Sequence, residues 1–259
     1  MRDVTASSLR ALWSRVVEVS RSASAFLVVG VASLTMQMDP LKPSVLGWKR
    51  LAQRLIPARA QEHLQELRGL SPVERRAYLG NMFRRLAGAP KPIPPALDQG
   101  GTVLFVCYGN IIRSALAAAC TQRYCAEAGI AFAAVRSAGV GARAGREADS
   151  RAVAAGRSLG VDLTAHRAQA LTRALVDEAS VIYVMDRLNE AQLLARFPDA
   201  GPKLHRLGAL AAAVDGDVIA DPYVLDAHAV AAVAVRIDRA VRALVEEIAR
   251  RSRSGIASA

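Results

Sequence analysis

The sequence predicts an α/β fold: a parallel four-stranded sheet with helices on both faces, preceded by a mainly α-helical extension. Three observations carry this reading. From residue 101 onward, short apolar runs alternate with segments of helical period, the pattern of strand–crossover–strand units. Before that point the chain shows helical periodicity and no strand-like run. Between the two lies Ala89-Pro90-Lys91-Pro92-Ile93-Pro94-Pro95, four prolines in six residues, a stiff extended linker. The expected organisation is therefore a basic helical extension over 1–88, a linker over 89–100 and an α/β domain over 101–259.

In the extension, Leu9, Leu12, Trp13, Val16 and Val17 recur at helical spacing, and Asp39-Pro40 and Lys42-Pro43 break the pattern. A second helix is predicted from Ser44 to Arg68, bent at Pro57. A third opens at Ser71-Pro72-Val73-Glu74, which offers an N-cap, a proline at the first helical position and a glutamate placed for a capping box. The apolar run Ser22 to Met38 is too short and mixed for a membrane span, which needs about 20 residues. It also lies too far in, behind mixed charge, for a signal peptide.

Of 259 residues, 52% are hydrophobic and only 5% aromatic, so Ala, Val and Leu must build the core. The net charge is +11 and unevenly spread: residues 1–100 hold 15 Lys/Arg against 7 Asp/Glu, and residues 101–259 hold 19 against 16. Trp48, Lys49, Arg50, Arg54 and Arg59 make a basic face. It reads first as a solvated helix surface and second as a contact for a peripheral membrane or protein partner; no nucleic acid is expected. Three cysteines without zinc-type spacing fit a reducing, cytoplasmic setting and suggest no zinc site.

In the second region, strands are predicted at Thr102–Val106, Phe132–Arg136, Ser180–Met185 and Leu204–Leu207. Helices are predicted at Ala115–Cys125, Ala148–Leu159, Leu188–Arg196 and Asp226–Arg250. Thr102 to Ser114, TVLFVCYGNIIRS, concentrates the chemistry. A strand that hands over to a helix through a Gly/Asn loop converges backbone N–H groups on one point, and the helix N-terminus adds positive potential. That field favours a thiolate at Cys107. Arg113 brings a planar fork suited to two phosphate oxygens.

The pattern Cys-x5-Arg-Ser resembles the signature of protein tyrosine phosphatases, and CYGNIIRS after VLFV looks like their low-molecular-weight branch. The resemblance extends over about residues 101–250. Ser137-Ala138-Gly139 is similar to the family's SAG. Gly160-Val161-Asp162-Leu163-Thr164-Ala165-His166-Arg167 is similar to its GIDLSGHRA stretch, and Met185-Asp186-Arg187-Leu188-Asn189 to its MDxxN. It implies hydrolysis of phosphotyrosine in proteins through a cysteinyl phosphate, without cofactor. Cys107 would be the nucleophile and Arg113 the clamp. Asp221, in the late Asp221-Pro222 pair, would be the acid a leaving oxygen needs. Tyr108, Gly109, Asn110, Ile111, Ile112 and Ser114 would form the phosphate loop, and Tyr223 a pocket wall. Ser137 and His166 would join Asn110 and Ser114 in hydrogen bonds beneath it, with Asp186 in support. Asp215, Asp217 and Asp226 are read as loop and N-cap residues.

The departures are informative. Ile112 stands where the family often has a second cysteine, and Cys120 and Cys125 read as packed, inert thiols. Arsenate reductase-like chemistry needs later cysteines, and none follows Cys125. An apolar Ile111 suits an aromatic leaving group, whereas phosphoarginine-directed relatives carry Thr. Arg143, near the expected mouth, suggests acidic substrate flanks. A non-catalytic phosphate-binding module is the remaining alternative, and it would need neither thiol nor acid.

Overall fold

The computed structural model describes residues 58–87, 97, 101–212 and 216–256. The chain divides into two units between Ala89 and Pro90. The helix predicted before Asp39, the apolar run Ser22 to Met38, the basic side chains from Lys49 to Arg59, most of the proline-rich linker and Asp215 lie outside the described residues.

In the first unit, helix α1 (Ala58–Arg68) and helix α2 (Pro72–Ala87) are joined by Gly69-Leu70-Ser71. The predicted capping box forms reciprocally. The Ser71 N–H donates to Glu74 Oε2 at 2.7 Å, and the Glu74 N–H to Ser71 Oγ at 3.4 Å. Such a cap is worth about 1 kcal/mol. Tyr78, on α2, is buried and its hydroxyl bonds to Glu66 and His63 of α1, tying the two helices together.

The second unit is built on strands β1 (Val103–Cys107), β2 (Val135–Gly139), β3 (Val181–Val184) and β4 (Leu204–Arg206), in the order β2-β1-β3-β4 and parallel throughout. Every residue of β1 and β3 is buried, as strands covered on both faces require. Val103, Phe105 and Tyr183 join one large apolar cluster with helices α3 (Arg113–Ala128), α4 (Ser150–Ser158) and α7 (Ala227–Ile256). Leu104, Val106, Ile182 and Val184 alternate with them, are equally buried and lie outside that cluster, on the opposite face. Helix α6 (Arg187–Arg196) packs on β3, and the short α5 (Arg173–Glu178) precedes that strand. The four-stranded parallel sheet with helices is thus the fold expected.

Boundaries differ where the sequence was ambiguous. β2 was expected over Phe132–Arg136 but runs from Val135 to Gly139, because pairing with β1 sets Val103 opposite Val135 and Cys107 opposite Gly139. The six-residue α5 was not foreseen, being too short for apolar periodicity. It is capped by Thr172, whose side chain accepts from the Leu175 N–H at 3.3 Å. Helix α7 runs further than expected, to Ile256. Its buried stripe Val230, Ala234, Ile237, Val241, Leu244 and Ile248 keeps the helical spacing that made it legible.

The chain leaves β1 for β2 on one side and returns to β3 on the other. The carboxyl end of β1 is therefore the point where strand order reverses, the place where open α/β sheets bind ligands. Cys107 is the last residue of β1.

Candidate active site

Residues 108–112 turn the chain from β1 into α3 within five positions. The turn depends on Asn110, the one described non-glycine residue with positive φ, at 54°. Asparagine tolerates that region, and here it is also fully buried and bonded on every side. Its N–H donates to Cys107 Sγ at 3.2 Å. Its Nδ2 donates to Ser114 Oγ and to Ser137 Oγ, both at 2.9 Å. Its Oδ1 accepts from the Gln169 N–H at 2.9 Å, and its carbonyl lies 2.7 Å from His166 Nε2. Gln169 Nε2 in turn donates to the Ser137 carbonyl at 2.6 Å. Asn110, Ser114, Ser137 and His166 are thus brought together under the loop, and Gln169 joins them.

Gly139 explains how β2 fits so closely beneath. A Cβ there would sit 2.5 Å from the Tyr108 carbonyl oxygen and 2.9 Å from the Asn110 nitrogen, both rigid backbone atoms.

Cys107 Sγ lies 3.0 Å from Ser114 Oγ. Asn110 Nδ2 donates to that oxygen, and the one hydroxyl proton of Ser114 has two acceptors in reach, Cys107 Sγ and the Ala138 carbonyl at 3.3 Å. Helix α3 begins at Arg113 with no side-chain cap at Ile112. Among the described residues, no backbone hydrogen bond takes up the N–H of Gly109, Ile111, Ile112 or Arg113. These groups and the N-terminus of a 16-residue helix remain for an anion.

Arg113 is buried, and its side chain is held at three points. Nη1 donates to Asp186 Oδ2 at 2.5 Å and to the Ile219 carbonyl at 3.1 Å, and Nη2 donates to Asp221 Oδ2. Burial works against its charge, but Asp186, Cys107 and Asp221 outweigh burial and raise its pKa above the ordinary guanidinium value. Asp186 is fixed in turn as the N-cap of α6, accepting from the Asn189 N–H at 2.7 Å. Removing one partner of such a buried pair costs about 3–5 kcal/mol.

Above this floor opens a cavity of about 400 Å³, lined by Cys107, Tyr108, Gly109, Ile111, Ile112, Arg113, Gly141, Arg143, Arg146, Asp221 and Tyr223. Sulfur, guanidinium and the carboxylate of residue 221 share one space. Tyr108 and Tyr223 are exposed walls, and Ile111 and Ile112 are buried ones. Asn110 and Ser114 do not line the cavity; they act from below.

Asp221 follows the buried Ile219, whose N–H donates to the Met185 carbonyl at 2.8 Å. Its Oδ1 accepts from the Tyr223 N–H at 3.2 Å. The same segment is tied to α4. Arg151 donates from Nη2 to the Tyr223 carbonyl at 3.1 Å and from Nη1 to the Leu225 carbonyl, while its guanidinium is gripped by Asp149. The Asp149 N–H donates to the Ile111 carbonyl at 3.0 Å. One Asp149–Arg151 pair therefore joins the loop after β1 to the segment bearing Asp221.

The rival carboxylates have other work. Asp217 pairs with Arg206 at 2.7 Å, and Asp226 accepts from the Ala229 N–H at 2.9 Å as α7 begins. Cys120 and Cys125 are buried in α3, and burial pushes their thiols up to about 12 and about 11. No group of side chains suited to a metal ion occurs among the described residues.

Comparison with known proteins gives a consistent answer. The family described as low molecular weight phosphotyrosine protein phosphatase matches residues 102–254. A Ralstonia solanacearum protein named probable low molecular weight protein-tyrosine-phosphatase EpsP is 37% identical over 147 residues, 57% of this chain and 95% of that one. A protein-arginine-phosphatase of Geobacillus stearothermophilus is 35% identical, over 47% of this chain and 78% of its own. The crystal structure of a low molecular weight phosphotyrosine phosphatase from Vibrio cholerae O395 superposes with a TM-score of 0.53 at 29% identity, covering 57% of this chain and 96% of that one.

Proposed function

This chain belongs to the low molecular weight phosphotyrosine protein phosphatase family, and on that premise we propose that it hydrolyses phosphotyrosine in proteins through a cysteinyl-phosphate intermediate. The observation that carries the proposal is the shared cavity: Cys107, Arg113 and Asp221 line one space at the end of β1. The Cys107 thiolate attacks phosphorus, the bond from phosphorus to the phenolic oxygen breaks, and a protonated Asp221 gives that oxygen its proton. The carboxylate then takes a proton from water, whose oxygen attacks phosphorus as the P–S bond breaks. Phosphate leaves and the thiolate returns. Throughout, Arg113 and the loop N–H groups hold the equatorial oxygens, where charge is spread in the transition state.

In this reading Ser114 turns its proton from the Ala138 carbonyl to sulfur and so stabilises the thiolate both as nucleophile and as leaving group. Asn110, Ser137, His166 and Gln169 position the loop, and Asp186 orients the guanidinium. Tyr108, Tyr223 and Ile111 offer an aromatic ring apolar and π-rich walls. Ile111 in particular favours an aromatic leaving group over the polar guanidino group of phosphoarginine. The phosphoprotein substrate is the partner this reading requires. We also propose that the enzyme works in the cytoplasm, a reading supported by three free cysteines and by the lack, among the described residues, of a helix long and apolar enough to cross a membrane.

The test is turnover of a phosphotyrosine peptide and of a phosphoarginine peptide by the full chain and by Cys107→Ser. The expected result is at least about a thousandfold loss in the variant and a clear preference for phosphotyrosine. Activity that survives the cysteine change removes the proposal, and a preference for phosphoarginine redirects it.

A further inference from the structure

The rim of the cavity carries charge that phosphoryl transfer does not use. Arg143 and Arg146 stand on the segment between β2 and α4, both exposed and both lining the cavity whose floor is Arg113. Neighbouring arginines are neutralised: Arg151 by Asp149, and Arg167 by Glu147 at 3.3 Å. These two are not. Arg146 makes one 3.4 Å contact with the Tyr223 hydroxyl and lies 5.6 Å from that ring's centre. The Arg143 guanidinium has no hydrogen bond or ion pair among the described residues.

The segment that carries them is held in place. The Arg146 N–H donates to the Arg143 carbonyl at 3.3 Å, closing a tight turn through Gly145, whose φ of 81° suits glycine. The Gly145 N–H donates to the Ala168 carbonyl, and the Ala168 N–H to the Arg146 carbonyl, each at 2.8 Å. A held backbone thus carries two arginines, three residues apart, at the mouth of the cavity. A phosphotyrosine that reaches the floor leaves its flanking residues at this level.

We propose that Arg143 and Arg146 form a basic lip that selects phosphotyrosine sites flanked by carboxylates. The inference rests on the phosphotyrosine reading above and names its preferred substrate class. Exposed charge pairs contribute modestly, so the effect is a bias rather than an absolute requirement.

Two phosphotyrosine peptides of equal length separate the possibilities, one with Glu and Asp on both sides of the phosphotyrosine, the other with Gln and Asn. For the full chain, kcat/KM should favour the acidic peptide by about fivefold, mostly through KM, and the ratio should shrink towards one at about 0.5 M salt. Arg143→Glu should abolish or invert the preference, and Arg143→Ala should give an intermediate ratio. Equal kcat/KM for the two peptides in the unaltered chain overturns the inference alone, as does a preference that persists in Arg143→Glu. Turnover of neither peptide removes the phosphotyrosine reading and this inference with it.

Discussion

Asp221 is the residue on which binding and chemistry part company. Its carboxylate rests on Arg113 Nη2 in the structure described, although the proposed reaction needs that nitrogen for a phosphate oxygen. Asp221→Asn keeps the shape and removes both the proton donor and the competing charge. We therefore expect kcat for an aryl phosphate to fall by about 10²–10⁴, the range for general acid–base groups. Affinity for orthovanadate should hold or rise. Steady-state kinetics with vanadate titration checks both, and a kcat within twofold of the original would remove Asp221 from its role. The sequence marks Cys107 and Arg113 by their spacing in one strand–loop–helix pattern, whereas Asp-Pro is common in turns and Asp221 stands out only through the family resemblance; the three line one cavity. Gln169 and Arg151 were not legible. Their work is done by contacts to residues 32 to 74 positions away, and neither sits in a motif.

At the scale of elements, the central question is what keeps the segment bearing Asp221 in place. Residues 216–226, which carry it, have no regular secondary structure before α7 begins. The segment's anchors include the Ile219 N–H on the Met185 carbonyl, Arg113 on the Ile219 carbonyl, Arg236 on the Gly216 carbonyl, Asp217 on Arg206, and, beyond Asp221, Arg151 on the carbonyls of Tyr223 and Leu225. Arg151→Ala should loosen the acid without touching the thiolate or the guanidinium. The expected outcome is a fall of about tenfold in kcat for an aryl phosphate, as small misplacements of a catalytic group give, with KM and the far-ultraviolet circular dichroism little changed. An unchanged kcat would show that the contacts before Asp221 suffice to hold it. Strand and helix types were readable from period, as α7 shows. The limits of β2 were not, because they follow from register with β1 rather than from the strand's own residues.

For the whole molecule, the useful fact is where the catalytic unit begins. Leu97 falls within the stretch expected to be linker, yet it is 1% exposed and belongs to the large apolar cluster of the second unit. Burying a leucine contributes about 1.5–3 kcal/mol. A fragment spanning 90–259 should therefore keep kcat/KM for an aryl phosphate within about twofold of the full chain. A fragment starting at 98 should melt several degrees lower. Thermal melts and aryl-phosphate kinetics on both fragments decide this, and loss of activity in the longer fragment would assign residues 1–89 a part in catalysis. The second region announced itself through strand–helix alternation and a dense motif. The first offered periodicity, charge and the capping box at Ser71, which describe helices but name no chemistry.

The contact between Arg113 and Asp221 also bears on how a catalytic cycle closes. The guanidinium is compensated by two acidic side chains at once, Asp186 and Asp221. An incoming dianion must outcompete an internal ligand, which disfavours singly charged bystanders such as chloride. Asp221 and a phosphate oxygen thus contend for one guanidinium nitrogen, and the expected consequence is slower loss of inorganic phosphate from Asp221→Asn.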